Sequence, residues 1–209
     1  MASNLPGSVR QFGVALRALL VFTAILGIVY PLVMTGAAQA LFHGNANGSI
    51  VKVNGKDVAS DLIGQAYTMD SGKKDSDGKP IMVADPTWFQ TRPSASEYDA
   101  TASGGSNLGP NNSDLVASID ERRKAVAALE GVDPSQVPPD AVTASGSGLD
   151  PDISPAYAAL QVNRVARERG LSVAKVQQLV KENTHGRVLG FLGEPSVNVV
   201  TLNNALAAS

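Results

Sequence analysis

Side chains that could do chemistry are few in this chain, and most of them collect in small-residue loops. The first loop is Ser103-Gly104-Gly105-Ser106-Asn107-Leu108-Gly109-Pro110; the second is Thr143-Ala144-Ser145-Gly146-Ser147-Gly148-Leu149-Asp150-Pro151. Runs of Gly and Ser can turn successive backbone N–H groups toward one point and make a nest for an anion. The same composition also builds plain tight turns. On the first reading the chain is a secreted or membrane-anchored domain that binds a small anion in its Gly/Ser loops. Neither loop carries the G-x-x-x-x-G-K-[ST] phosphate pattern. His43 and His185 stand in no metal-ligand spacing. Asp75-Ser76-Asp77-Gly78 is like part of a calcium loop, but Lys73 would fill the first ligand position and no Glu closes the loop in register. No metal is expected there. A hydrolase using a Ser with His185 is a further reading, although no G-x-S-x-G elbow is present.

Composition narrows these choices. The chain has 209 residues, 17 basic and 19 acidic side chains and no Cys. Without Cys there is no disulfide framework, no thiolate metal site and no thiol nucleophile. A net charge of −2 leaves no electrostatic footprint for nucleic acid. The basic residues between 164 and 187 are broken by Glu168 and Glu182 and read as solvated faces of two helices.

The element that must position everything else is residues 18–38, which carry no charge. As a helix this run spans about 31 Å, close to the thickness of a bilayer's hydrocarbon. Gly27 and Pro31 are tolerated in such a helix. Arg10 and Arg17 precede the run, and the first basic residue after it is Lys52. The positive-inside rule then puts residues 1–17 in the cytoplasm, a transmembrane helix at 18–38, and residues 39–209 outside as one soluble domain. A cleaved secretory signal is the competing reading, since Ala38-Gln39-Ala40 has small-x-small form. Both readings leave the domain extracytoplasmic.

Within that domain, 50–53 and 56–59 around Asn54-Gly55 read as a β-hairpin. Residues 63–67 offer a third strand, and 70–85 a polar loop. Trp88 and Phe89 are core anchors. Asn112 or Ser113 caps a helix over 114–130 that stops at Gly131. Ser154 caps a helix with Pro155 at its first position, ending at Gly170. Its inward stripe is Ala158, Val162 and Val165, with Gln161, Arg164 and Glu168 on another, polar face. Ser172 caps a further helix to about Asn183, with Val173, Val176, Leu179 and Val180 inward, and the β-branched stretch 197–202 reads as a strand. The fold class is α+β: one N-terminal transmembrane helix followed by one extracytoplasmic mixed α/β domain.

In this order the chain resembles KdpC, the C subunit family of the Kdp potassium-transporting P-type ATPase. The resemblance rests on Arg92-Pro93-Ser94, the two small-residue loops, Gln161-Val162-Asn163-Arg164-Val165-Ala166, and Gly190-Phe191-Leu192-Gly193-Glu194-Pro195 with Val197-Asn198-Val199. Beside the shorter family pattern, 70–85 reads as an insertion. The resemblance implies an inner-membrane, single-pass, non-catalytic subunit of a high-affinity potassium import complex. Its implied partners are a P-type subunit that hydrolyses ATP and a potassium-channel-like subunit. The D-K-T-G-T motif of the hydrolase is absent.

The resemblance also implies a catalytic chaperone that raises the hydrolysing subunit's affinity for ATP. Ser103, Gly104, Gly105, Ser106 and Asn107 are similar to the signature loop of ABC transporters, with Asn107 where that signature has Gln. ATP is therefore implied through the complex, and no directly bound cofactor is expected. The expected docking surface for partner subunits comprises Gly27 in the membrane helix, Gly146, Gly148 and Asp150 in the second loop, and Gln161 and Arg164 after it. The small size of Gly146 and Gly148 suits close approach by another backbone.

Overall fold

The computed structural model describes residues 6–53 and 55–209. They form two units, one ending at Ser49 and one running Ile50–Ser209. In the first unit, α1 (Gly7–Ala24), a π-helical turn (Ile25–Val29) and α2 (Tyr30–Leu41) make one continuous helix, followed by the short α3 (His43–Ala46). The continuous helix, Gly7–Leu41, is long and apolar enough to cross a membrane. Pro31 explains the π turn: it has no N–H for the carbonyl four residues back, and its ring crowds that position. The helix widens there, and the Tyr30 N–H donates to the Ile25 carbonyl, one residue beyond the α pattern.

The second unit is mixed α/β. β1 (Ile50–Val53) and β2 (Lys56–Ser60) form the expected antiparallel hairpin. Asn54 of its turn lies outside the described residues; Gly55 has φ +77°. The expected third strand at 63–67 is not formed. Residues 70–85, expected as a loop, belong instead to a second hairpin, β3 (Thr68–Lys74) with β4 (Pro80–Ala84). Asp75 makes its turn, with Oδ1 accepting from the amides of Asp77 and Lys79, each at 2.9 Å. That Asx turn brings the apolar run Ile81-Met82-Val83 back along β3.

The helices follow their caps. Asn112 accepts from the Asp114 and Leu115 amides at the start of α4 (Ser113–Glu130), and Gly131 closes it in the left-handed conformation. Ser154 accepts from Tyr157 N at the start of α5 (Pro155–Arg169), which ends at left-handed Gly170. Ser172 caps α6 (Val173–Glu182), of which Val176 and Leu179 are buried and Val173 is exposed. β5 (Asp152–Ile153), β7 (Ser196–Asn198) and β6 (Thr184–His185) form a three-stranded antiparallel sheet in that spatial order. The strand expected over 197–202 lasts only through Asn198. The Asn198 side chain then accepts from the Thr201 amide and starts α7 (Val199–Ala207), so a cap overrides the β-branched preference of Val199 and Val200.

The core lies around α5. Gln161 and Arg164, expected on an outward polar face, are interior and 0% and 1% exposed. They serve the chain at 86–90, which crosses the core outside any strand ladder and must find other partners for its backbone groups. Arg164 donates through Nη1 to the carbonyls of Pro86 (2.5 Å) and Trp88 (2.9 Å), and through Nη2 to Gln161 Oε1 at 2.8 Å. Gln161 Oε1 accepts from Gln90 N at 2.6 Å, and its Nε2 donates to the Gln90 carbonyl at 3.1 Å. From α7, Asn203 accepts from Phe89 N at 3.0 Å and donates to the Phe89 carbonyl at 2.9 Å. Arg169 places its guanidinium 3.9 Å from the centre of the Trp88 ring and donates to the Thr87 carbonyl at 2.9 Å. The charge of Arg164 is balanced by Glu130, at the end of α4, whose two oxygens both lie 3.0 Å from Nε. The Glu130 side chain is 0% exposed, and burial pushes its carboxyl up against the pull of Arg164.

Removing one partner of such a pair strands the other charge and several backbone acceptors. Arg164→Met is expected to destabilise the domain by about 3–5 kcal/mol, whereas a solvent-exposed site would lose less than about 0.5 kcal/mol. Urea unfolding of the full chain in detergent, followed by the fluorescence of Trp88, the sole Trp, distinguishes the two.

Candidate functional site

The two small-residue loops meet. The second, 143–151, precedes β5; the first, 103–110, leads into α4. Gly104 N donates to the Ser147 carbonyl at 2.8 Å, and Ser103 Oγ donates to the same oxygen at 3.1 Å. The segment 92–98 closes the group from a third side. Ser94 Oγ donates to the Gly148 carbonyl at 2.6 Å and accepts from the amides of Ser96 and Tyr98. The Tyr98 hydroxyl donates to the Arg92 carbonyl. Arg92 donates to Asp150 Oδ2 at 3.0 Å, while Asp150 Oδ1 accepts from Asp152 N at 3.0 Å. Asp150 thus joins the start of the sheet to the loop cluster.

Glycine is required here by contact. Gly148 has φ +69°, and a Cβ on it would meet Ser96 Oγ and lie 2.7 Å from the Gly104 carbonyl oxygen. A Cβ on Gly105 would lie 3.2 Å from the Gly146 carbonyl oxygen, and one on Gly146 would meet nothing. The backbone that approaches Gly148 is therefore the chain's own first loop, which corrects its expected place on a docking surface. Gln161 and Arg164 leave that surface too, because both are interior.

Several of the amides that could form an anion nest are engaged. Gly104 N is bound to Ser147, Gly148 N donates to Ser145 Oγ at 2.9 Å, and Leu149 N donates to Ser147 Oγ at 3.1 Å. What faces solvent is the outer rim: Ser106, Asn107, Gly146 and Ser147. Asn107 stands at φ +53°, a conformation its short polar side chain tolerates.

A cleft of about 320 Å³ beside the cluster is lined by Arg92, Asp140, Asp150, Asp152, Ser154 and Glu194, among others. Its carboxylates carry structural bonds. Asp140 accepts from Ser154 N at 2.7 Å and from Ser154 Oγ at 2.9 Å, and Asp152 accepts from Ser196 Oγ at 3.1 Å. Among the described residues no group of three or more His, Asp or Glu could hold a metal ion. His185 is exposed in β6. The sequence reading missed the clamp made by Ser94 and Tyr98. Its one signal was Arg92-Pro93-Ser94, where Pro93 forces an extended backbone.

A family model described as "K+-transporting ATPase, c chain", KdpC, matches residues 12–208. A relative from Kineococcus radiotolerans, described as a potassium-transporting ATPase KdpC subunit, is 49% identical over 100% of this chain and 99% of its own length. One of the same description from Streptomyces avermitilis is 47% identical over 99% of this chain and 97% of its own. One from Gemmatimonas aurantiaca is 52% identical over 91% of each.

The loop contacts separate two glycines that look alike in sequence. Gly148→Ala is expected to destabilise the domain by at least about 1–2 kcal/mol from its left-handed backbone alone, with the clash added. Gly146→Ala should stay within about 0.5 kcal/mol of the parent. Parallel urea melts of the two variants check the difference.

Proposed function

The chain belongs to the KdpC family, the c chain of the potassium-transporting ATPase, and from that premise we propose a single-span subunit whose domain lies outside the cytoplasm and supports assembly and ATP use by the complex. It is an accessory subunit of that ATPase and not its catalytic subunit. The observation that carries the proposal is the family match across 12–208, which takes in both the apolar helix and the folded domain. The orientation is supported by Arg10 and Arg17 before the helix and the first following basic residue at Lys52.

The partners in this reading are the ATP-hydrolysing subunit and the channel-like subunit. Gly27, in the π turn, is a close-contact point for another membrane helix, because small residues let backbones approach in lipid. In the domain, the exposed rim Ser106, Asn107, Gly146 and Ser147 meets a partner, and Asp150 holds its shape. The effect on ATP affinity then passes through the complex. The engaged amides of Gly104, Gly148 and Leu149 support this over direct capture of a nucleotide or small anion in the loops.

Gly27→Leu is expected to leave the chain in the membrane while lowering the yield of partner subunits that copurify with it. Ser106→Arg, at an exposed position with ordinary backbone, should raise the ATP concentration needed for half-maximal potassium-stimulated hydrolysis by the complex, with the unfolding midpoint of the chain unchanged. Unaltered copurification and unaltered ATP dependence would remove these contact sites. Protease added to intact spheroplasts should digest the domain and leave the N-terminal helix membrane-bound; protection of the domain would reverse the orientation.

A further inference from the structure

Between β6 and β7 the chain leaves the domain as a tight hairpin. Val188 N donates to the Leu192 carbonyl at 2.9 Å, and Leu192 N donates to the Val188 carbonyl at 3.0 Å. Arg187 and Glu194 close its base with an ion pair of 2.6 Å. Its large apolar side chains point away from the core: Val188 is 63% exposed, Leu189 83%, Phe191 70% and Leu192 59%. Leu189 also sits at φ +54°, a conformation that disfavours a bulky side chain. Glycine would relieve that strain without any loss of core packing. The domain therefore holds an apolar residue outward, under strain, with no internal contact in return.

What covers it follows from where the chain is tethered. Eight residues, 42–49, including α3, separate the end of α2 from the start of β1. Ile50, the attachment point, pairs with Ser60. The next residue, Asp61, accepts at its carbonyl from Asn198 Nδ2 at 2.7 Å. Asn198 ends β7, the strand that leads out of the hairpin. The β1–β2 hairpin at the tether and β7 belong to different sheets, and this side-chain hydrogen bond joins them. Tethering to a bilayer that holds the apolar helix raises the effective concentration of lipid around the domain, so a small patch suffices. The tip from Val188 to Gly193 carries no charge, and Phe and Leu are residues suited to the membrane interface.

We propose that the 187–194 hairpin inserts Leu189, Phe191 and Leu192 into the interface of the lipid leaflet next to the domain and so sets the domain's orientation on the membrane. The inference rests on the reading of Gly7–Leu41 as a membrane span. The chain has no Cys, so Leu189→Cys takes a single environment-sensitive fluorophore, as does Ser76→Cys in the exposed β3–β4 turn for comparison. The full chain is placed in vesicles of phosphatidylethanolamine and phosphatidylglycerol.

The expected result is a blue-shifted emission at position 189, quenched by nitroxide-bearing lipids and shielded from iodide, with the reverse at position 76. Phe191→Ser in the Leu189→Cys background should weaken the lipid quenching without moving the melting temperature. Iodide quenching at 189 without lipid quenching overturns the inference. So does a probe shielded only when the other subunits are present, which would assign the tip to a protein partner. Alkaline carbonate separates the two readings: release of the chain sinks the span and the inference together, whereas retention with an iodide-accessible tip sinks the inference alone.

Discussion

The buried pair of Arg164 and Glu130 is the constraint on which the domain depends. A charge in the interior is costly unless every donor finds an acceptor. Arg164 meets that demand with two carboxylate oxygens, one amide oxygen and two backbone carbonyls. These partners come from the end of α4, from α5 itself and from 86–88. One side chain therefore fixes the mutual placement of three parts of the chain that no strand ladder connects. Gln161 and Asn203 extend the same solution along 89–90. A non-ladder segment can cross the core here only because side chains stand in for a neighbouring strand.

The loop cluster is held by the same kind of exchange. There, backbone carbonyls of Ser147 and Gly148 accept from the first loop and from Ser94. Arg92 and Asp150 tie that layer to the sheet. The Arg92–Asp150 pair is only partly shielded, with side chains 26% and 29% exposed, so solvent screens it and the hydrogen bonds and glycine contacts carry more of the shape. Fixing the loops from beneath leaves the side chains of Ser106 and Asn107 facing solvent. That arrangement suits a subunit whose activity lies in what it touches.

Helix ends were legible because their determinants are local. Asn112 and Gly131, Ser154-Pro155 and Gly170, and Ser172 each specify a boundary within one turn of the residue that makes it. The hairpin at 68–84 was hidden because its polar Asx turn resembles a loop until its apolar return strand is paired. α7 was hidden because Val199 and Val200 favour a strand by themselves and only the Asn198 cap decides against it. The burial of Gln161 and Arg164 could not be read at all. Their backbone partners lie 71–78 residues away in sequence, and helical periodicity counts any polar stripe as an outer face. The glycines of the second loop were legible as a demand for close approach, but the approaching backbone was not.

Family membership and the geometry combine into one division of labour. A subunit without catalytic groups can alter a pump only by binding its states unequally. That requires a surface held rigidly enough for small differences in the partner to register as differences in affinity. The domain supplies rigidity through buried pairing and close backbone contact, and presents the Ser106–Asn107 and Gly146–Ser147 rim and the apolar hairpin to solvent. The continuous helix is long and apolar enough to cross a membrane and widens in the π turn that holds Gly27. Contacts carried on one chain raise one another's effective concentration. No single contact then needs to be strong.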